Sequence, residues 1–129
     1  MRVCLDTNAY SGLRRGNKKI LELLEGCEEI LVPAATYAEL VYGFLRGSRF
    51  GENESLLNAF LMEECVVFQP VTQGISERWS YVKAILKKNG TPIPENDIWI
   101  AATALETGTR LVSYDHHFDF VGGLIRLAP

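Results

Sequence analysis

Residues 96–118 read NDIWIAATALETGTRLVSYDHHF, and the order of elements within them sets the fold class. Ile98, Trp99, Ile100, Ala101, Ala102, Ala104 and Leu105 form a helix-length apolar run, with Asn96 placed to cap it and Gly108 placed to end it. RLVS (110–113) follows at once and has the length and apolar content of a strand, and Asp115 lies two residues beyond it. Asp97 opens the helix, so this one unit carries a carboxylate at the start of its helix and a second after its strand.

The same alternation runs outward through the chain. RVCLD (2–6), EILV (29–32), VVFQ (66–69) and LIRL (124–127) are the other candidate strands. Between them lie helical patterns: NKKILELLEG with Asn17 to cap and Gly26 to stop, AATYAELVYGFL after Pro33, NESLLNAFLMEE after a Gly-Glu turn, and TQGISERWSYVKAILKKNG from a Thr72 cap to Gly90. Strands separated by helices long enough to cross over predict a parallel sheet covered on both faces. The expected class is α/β, a three-layer sandwich with a central, mostly parallel sheet of about five strands. Repeats, low-complexity tracts and linkers are absent, so residues 1–129 are expected to form one domain.

Composition bounds the function. With 129 residues, 47% hydrophobic and 22% charged, the chain can bury a core of ordinary size. A formal charge of −3 excludes the overall basic field of a non-specific nucleic-acid coat. It is compatible with an enzyme that meets a phosphodiester through bound cations, which the formal charge does not count. Cys4, Cys27 and Cys65 are odd in number and widely spaced, which fits neither a disulfide framework nor a zinc knuckle. MRVCLD gives no signal-peptide apolar stretch and no run is long enough to span a bilayer, so a soluble, cytoplasmic protein without membrane association is expected.

In an open α/β sheet the strand C-termini and helix N-termini share one edge, and that edge is where sites form. Asp6 ends the first strand, Asp115 follows RLVS, Asp97 stands in the first turn of its helix, and Glu39 lies about one turn into the helix after the second strand. Each has an ordinary structural explanation alone. An Asp after a strand forms turns, Asp97 complements a helix dipole for up to about 1 kcal/mol, and Glu39 is a helix position. Together they are costly, since two like charges 4 Å apart repel by about 4 kcal/mol at an effective dielectric near 20. Lys18, Lys19, Lys83, Lys87 and Lys88 all read as outer helix faces and cannot neutralise the group. A hard divalent cation, Mg²⁺ or Mn²⁺, is the partner that oxygen ligands favour, and the chemistry it implies is hydrolysis of a phosphate ester or diester by metal-bound water.

These residues carry a family resemblance. The chain resembles the PIN-domain ribonucleases, and within them the VapC-type toxins of bacterial and archaeal toxin–antitoxin pairs. The matching features are the first strand running into LDTNAYSGL, the isolated Glu39 in AATYAELVYG, the 96–118 block and a short closing strand. The block is the most specific of them, an Asp opening an alanine-rich helix and then Gly, a strand and Ser/Thr-x-Asp-x-x-Phe. The resemblance implies that Asp6, Glu39, Asp97 and Asp115 are the metal-binding and catalytic acids and that Ser113 takes the family's Ser/Thr position near the metal. Thr7 and Asn8 are expected to orient Asp6 or a bound water. It further implies an RNA substrate, a cognate antitoxin and a homodimer. Phe44, Phe50, Phe60, Leu45, Leu57 and Leu61 are more apolar surface than one helix pair leaves exposed without a partner.

His117 occupies a position where some relatives carry another acid. Adjacent residues in a strand-like segment point opposite ways, so only one of His116 and His117 can face the site, and both read more readily as surface or loop residues. His117 is retained as a candidate contact to an RNA phosphate or base, and Asp119 reads as a loop residue. Arg14, Arg15, Arg46 and Arg49 are candidate contacts to an RNA backbone, the last two in a Gly-rich turn, against the ordinary reading of solvated loop arginines.

Two rival functions share parts of the pattern. A haloacid-dehalogenase-like phosphatase would use Asp6 as nucleophile, but its first motif has a second Asp where this chain has Asn8. A non-enzymatic phospho-receiver needs an acceptor Asp after its central strand, where VVFQP offers Gln69.

Overall fold

Val3 and Leu5 face one side of the first strand and Cys4 the other, and all three have no solvent exposure, so this strand lies at the centre of a sheet covered on both faces. The computed structural model describes residues 1–129. Its strands are β1 (Arg2–Leu5), β2 (Glu29–Pro33), β3 (Val66–Gln69), β4 (Arg110–Val112) and β5 (Arg126–Leu127), in the spatial order β3-β2-β1-β4-β5, with every pairing parallel. The helices are α1 (Thr7–Arg14), α2 (Lys18–Glu25), α3 (Ala34–Arg46), α4 (Phe50–Leu61), α5 (Gln73–Asn89) and α6 (Glu95–Thr107), and a 3-10 turn covers His116–Phe120.

The two cores follow from strand alternation. Val3, Leu5, Ile30, Val32 and Val112 meet the apolar faces of α1 to α4 through Ala9, Tyr10, Ile20, Leu40, Leu57 and Phe60. Cys4, Leu31 and Leu111 meet α5 and α6 through Val82, Leu86, Ile98, Ile100, Ala101 and Ala104. The alanines let α6 press close to the sheet, and Trp79 of α5 stacks on Trp99 of α6 with ring centroids 5.1 Å apart. The three cysteines are free thiols, and no helix is long and apolar enough to cross a membrane.

The helix ends show where local sequence governs and where it does not. Asn17 and Thr72 cap α2 and α5 by accepting from backbone amides, and Gly90 and Gly108 end α5 and α6 in the left-handed region at φ 68° and 66°. Asn96 does not cap α6. Pro94 holds the extended cap position, and its carbonyl accepts from the Asp97 and Ile98 amides, which starts the helix one residue ahead of Asn96. Residues 7–14, which carry no long apolar pattern, form α1 because Asp6 accepts from the Ala9 amide at 2.7 Å. Helix α4 starts at Phe50, so Gly51 and Glu52 are helical, and β5 keeps only the last two residues of LIRL.

Leu57 and Phe60 are buried beneath α1, Phe60 edge-on to Tyr10 at 5.3 Å, so they belong to the core and are not free surface. The large apolar side chains left exposed on α3 and α4 are Tyr42, Leu45 and Leu56.

Candidate active site

The strand order reverses beside β1, since β2 and β3 continue to one side of it and β4 and β5 to the other. Such a switch point leaves a crevice beyond the strand C-termini that neither crossover fills. Asp6 follows β1 and Asp115 follows β4 by two residues beyond Ser113, so these two acids flank the crevice. Asp97 enters from above as the third residue of α6, and Glu39 from the second turn of α3.

Hydrogen bonds position Asp6, Glu39 and Asp115. The Thr7 hydroxyl donates to Glu39 Oε1 at 2.8 Å, linking α1 to α3. The Thr36 hydroxyl, fully buried, donates to the Leu5 carbonyl at 2.8 Å and fastens the start of α3 to the end of β1. Buried Ser113 accepts from the Asp115 amide at 3.0 Å, and its hydroxyl lies near enough to Asp6 to favour the ionised carboxylate. Asp115 accepts from the His117 amide at 3.2 Å, which turns the chain into the 3-10 segment.

The electrostatics match the placement. Burial pushes the Asp6 carboxyl above its ordinary value, the bonds from Ser113 and the Ala9 amide oppose the rise, and the charges of Asp97 and Asp115 add to it. Burial likewise raises Asp97, opposed by His117 and reinforced by Glu39 and Asp115. Asp97 therefore lies within electrostatic reach of the other three carboxylates, and Asp6 within reach of Asp115. No lysine or arginine forms an ion pair with any of them.

His117 stands among the acids, not on the surface. Its Nε2 is 2.7 Å from Asp97 Oδ2 and its Nδ1 is 2.7 Å from Asp115 Oδ1. A donor atom from each of Asp97, Asp115 and His117 falls within 4.8 Å of the other two. The expectation of a surface or loop role for both histidines assumed a strand-like segment, and the 3-10 turn replaces it. His116 is exposed and faces Arg126, which also pairs with Asp119 at 2.8 and 3.0 Å, so Asp119 is outside the acid group.

The remaining candidates divide. Thr7 serves Glu39 instead of Asp6, and Asn8 is exposed without a side-chain hydrogen bond. Arg46 is the last residue of α3 and stacks over Tyr42 at 4.9 Å; both line a cleft of about 520 Å³ together with Thr7, Glu39 and Asn96. Arg14 instead lies over the Tyr10 and Phe60 rings at 5.2 and 5.8 Å, at the far end of α1 beside Arg15. Arg49 precedes α4 and is exposed. Thr36, Tyr42 and Asn96 are the site residues that sequence reasoning missed. A Thr three residues before Glu39, and a Tyr three and an Arg seven after it, share a helix face with it, and that spacing is the signal that was present.

A family model for the PIN domain matches residues 3–124. Ribonuclease VapC1 from Haemophilus influenzae strain R2866 is 33% identical over 116 residues, covering 86% of this chain and 84% of that protein. Among solved structures, VapBC-1 from nontypeable Haemophilus influenzae superposes with a TM-score of 0.88 at 26% identity, covering 98% of this chain and 97% of that one. VapBC2 from Rickettsia felis, solved bound to a DNA fragment from its promoter, gives 0.85 at 25% identity over 98% of each chain.

Proposed function

The chain belongs to the PIN domain family, and from that premise we propose that it is a divalent-metal-dependent endoribonuclease, the toxin of a toxin–antitoxin pair. The observation that carries the reading is the group of Asp6, Glu39, Asp97 and Asp115, delivered by four separate elements to one switch point with no lysine or arginine paired to any of them. A phosphatase or receiver fits less well. β3 with Gln69 is an edge strand and the central strand is β1, so the order differs from the 2-1-3-4-5 of receiver folds. Asn8 also leaves the phosphatase motif without its second acid.

The residues fit a hard divalent ion. Oxygen donors predominate, they come from rigid elements, and the two most enclosed acids carry raised protonation tendencies that a cation would reverse. Asp6, Glu39, Asp97 and Asp115 would hold Mg²⁺ or Mn²⁺. A divalent ion bound there supplies an activated water and neutralises charge on the leaving oxygen. The chain's own part is positional. Thr7 fixes one oxygen of Glu39, and the Ala9 amide of α1 fixes one oxygen of Asp6. Ser113 holds the Asp115 backbone, and the cleft of Arg46, Tyr42 and Asn96 offers a cation, an aromatic face and an amide to an RNA strand.

The relatives' VapBC structures support a cognate antitoxin as partner. The exposed Tyr42, Leu45 and Leu56 are the apolar surface on α3 and α4 for it, and a homodimer in the cytoplasm completes the reading. The test is cleavage of RNA by the purified protein with Mg²⁺ or Mn²⁺, with EDTA, and with Asp6→Asn and Asp97→Asn. Loss of cleavage in EDTA and in both variants is expected, and full cleavage by both variants would overturn the proposal.

A further inference from the structure

Resting on the reading of the four acids as a metal site, we propose that His117 adds a nitrogen donor to it, making a mixed oxygen–nitrogen site that favours Mn²⁺ over Mg²⁺. Three observations carry this beyond the acids themselves.

First, His117 Nε2 is inaccessible to solvent and has no hydrogen-bond partner, although Asp97 Oδ2 is only 2.7 Å away. The oxygen is close enough but lies off the axis along which a ring N–H would point. Two donor atoms side by side, not end to end, is the relation of ligands that converge on a third point. Orphaned buried nitrogens are rare because an unmet one costs about 1–3 kcal/mol.

Second, Nδ1 lies 2.7 Å from Asp115 Oδ1. The Asp115 charge so close to Nδ1 favours a proton on that nitrogen and leaves the lone pair on Nε2.

Third, the ring is placed by structure on both sides. Asp115 accepts from the His117 amide at 3.2 Å, and the next residue, Phe118, is 1% exposed in the core beneath α6. His116, one residue earlier, has no such constraint and turns to Arg126. Imidazole is a poor ligand for Mg²⁺, which takes oxygen and holds its water, and a better one for Mn²⁺, although Mn²⁺ is the weakest binder of the first-row transition ions.

The experiment is pulsed EPR on the full chain loaded with Mn²⁺, combined with calorimetric titration of Mn²⁺ and of Mg²⁺. The bound ion is expected to show nitrogen modulation that changes on ¹⁵N-histidine labelling, persists in His116→Gln and disappears in His117→Gln. His117→Gln should bind Mn²⁺ roughly 10-fold or more weakly, with a smaller loss for Mg²⁺, and circular dichroism verifies that it folds. Mn²⁺ bound without nitrogen modulation, or held by His117→Gln as tightly as by the parent chain, overturns the role of His117 and leaves the acid site standing. No Mn²⁺ binding by the parent chain, or binding that Asp97→Asn does not weaken, overturns the metal site itself and the proposal with it.

Discussion

The Thr36 hydroxyl donates to the carbonyl of Leu5 at 2.8 Å, joining the start of α3 to the residue that precedes Asp6. Thr7, the residue after Asp6, donates to Glu39 on the same helix. Asp6 is thus bracketed by two bonds that set the distance between the first strand and the acid on α3. In a fold whose acids come from four elements, such inter-element bonds decide whether the carboxylates meet.

Thr36→Val keeps the shape of the side chain and removes the donor. The loss of a buried hydrogen bond is expected to cost about 1–3 kcal/mol in urea unfolding. RNA cleavage should fall more than the small change in folded fraction explains, because Glu39 loses its reference to Asp6. A variant with unchanged midpoint and unchanged rate would show that α3 is held by its apolar face alone.

The acids make the metal-free protein sensitive to pH in a definite direction. Burial holds Asp6 and Asp97 above the ordinary carboxyl value of 3.8, so the native state binds their protons more tightly than the unfolded chain does. Their contribution is fully present below that ordinary value and is lost as pH rises through the folded values. In EDTA, their contribution to stability should therefore fall as pH rises above 3.8, and Asp6→Asn with Asp97→Asn should raise the midpoint above that fall and flatten it. Denaturant melts across that range, compared between the parent and the double variant, measure it.

A divalent cation should reverse the penalty. At 100 times its dissociation constant a ligand that binds only the native state stabilises it by about 2.7 kcal/mol, so Mn²⁺ is expected to raise the melting temperature of the parent chain. Asp6→Asn and Asp97→Asn should lose that rise while remaining folded. An equal rise in the variants would place the cation elsewhere on the protein.

Arg46 and Arg14 separate by position. Arg46 lines the cleft that holds Glu39, so Arg46→Ala should raise KM for RNA and reduce the salt dependence of binding by about one phosphate contact. Arg14 lies on the Tyr10 and Phe60 rings, where a cation–π contact contributes about 0.5–1 kcal/mol, so Arg14→Ala should lower stability and leave KM close to that of the parent. Filter binding at two salt concentrations together with a thermal melt distinguishes the two roles.

Much of the site was legible in the chain because it rests on local periodicity. Alternating residues place Asp6 and Asp115 after strands, the apolar run after Asp97 mounts it on a buried helix, and a parallel sheet puts all such ends at one edge. Helix α1 escaped notice because its start depends on the Asp6 cap more than on an apolar stripe. The exposed surface expected of Leu57 and Phe60 vanished because α1 lies over them.

The sequence by itself determined the class of fold and the edge to which Asp6, Glu39, Asp97 and Asp115 are carried, since spacing along strands and helices is a local property. Only the tertiary structure decided the strand order, the bonds from Thr36 and Thr7, the sorting of Arg46 from Arg14, and the turn that carries His117 between Asp97 and Asp115. Those features depend on which residues far apart in the chain come within hydrogen-bond reach, and packing of the two cores against the sheet sets that distance.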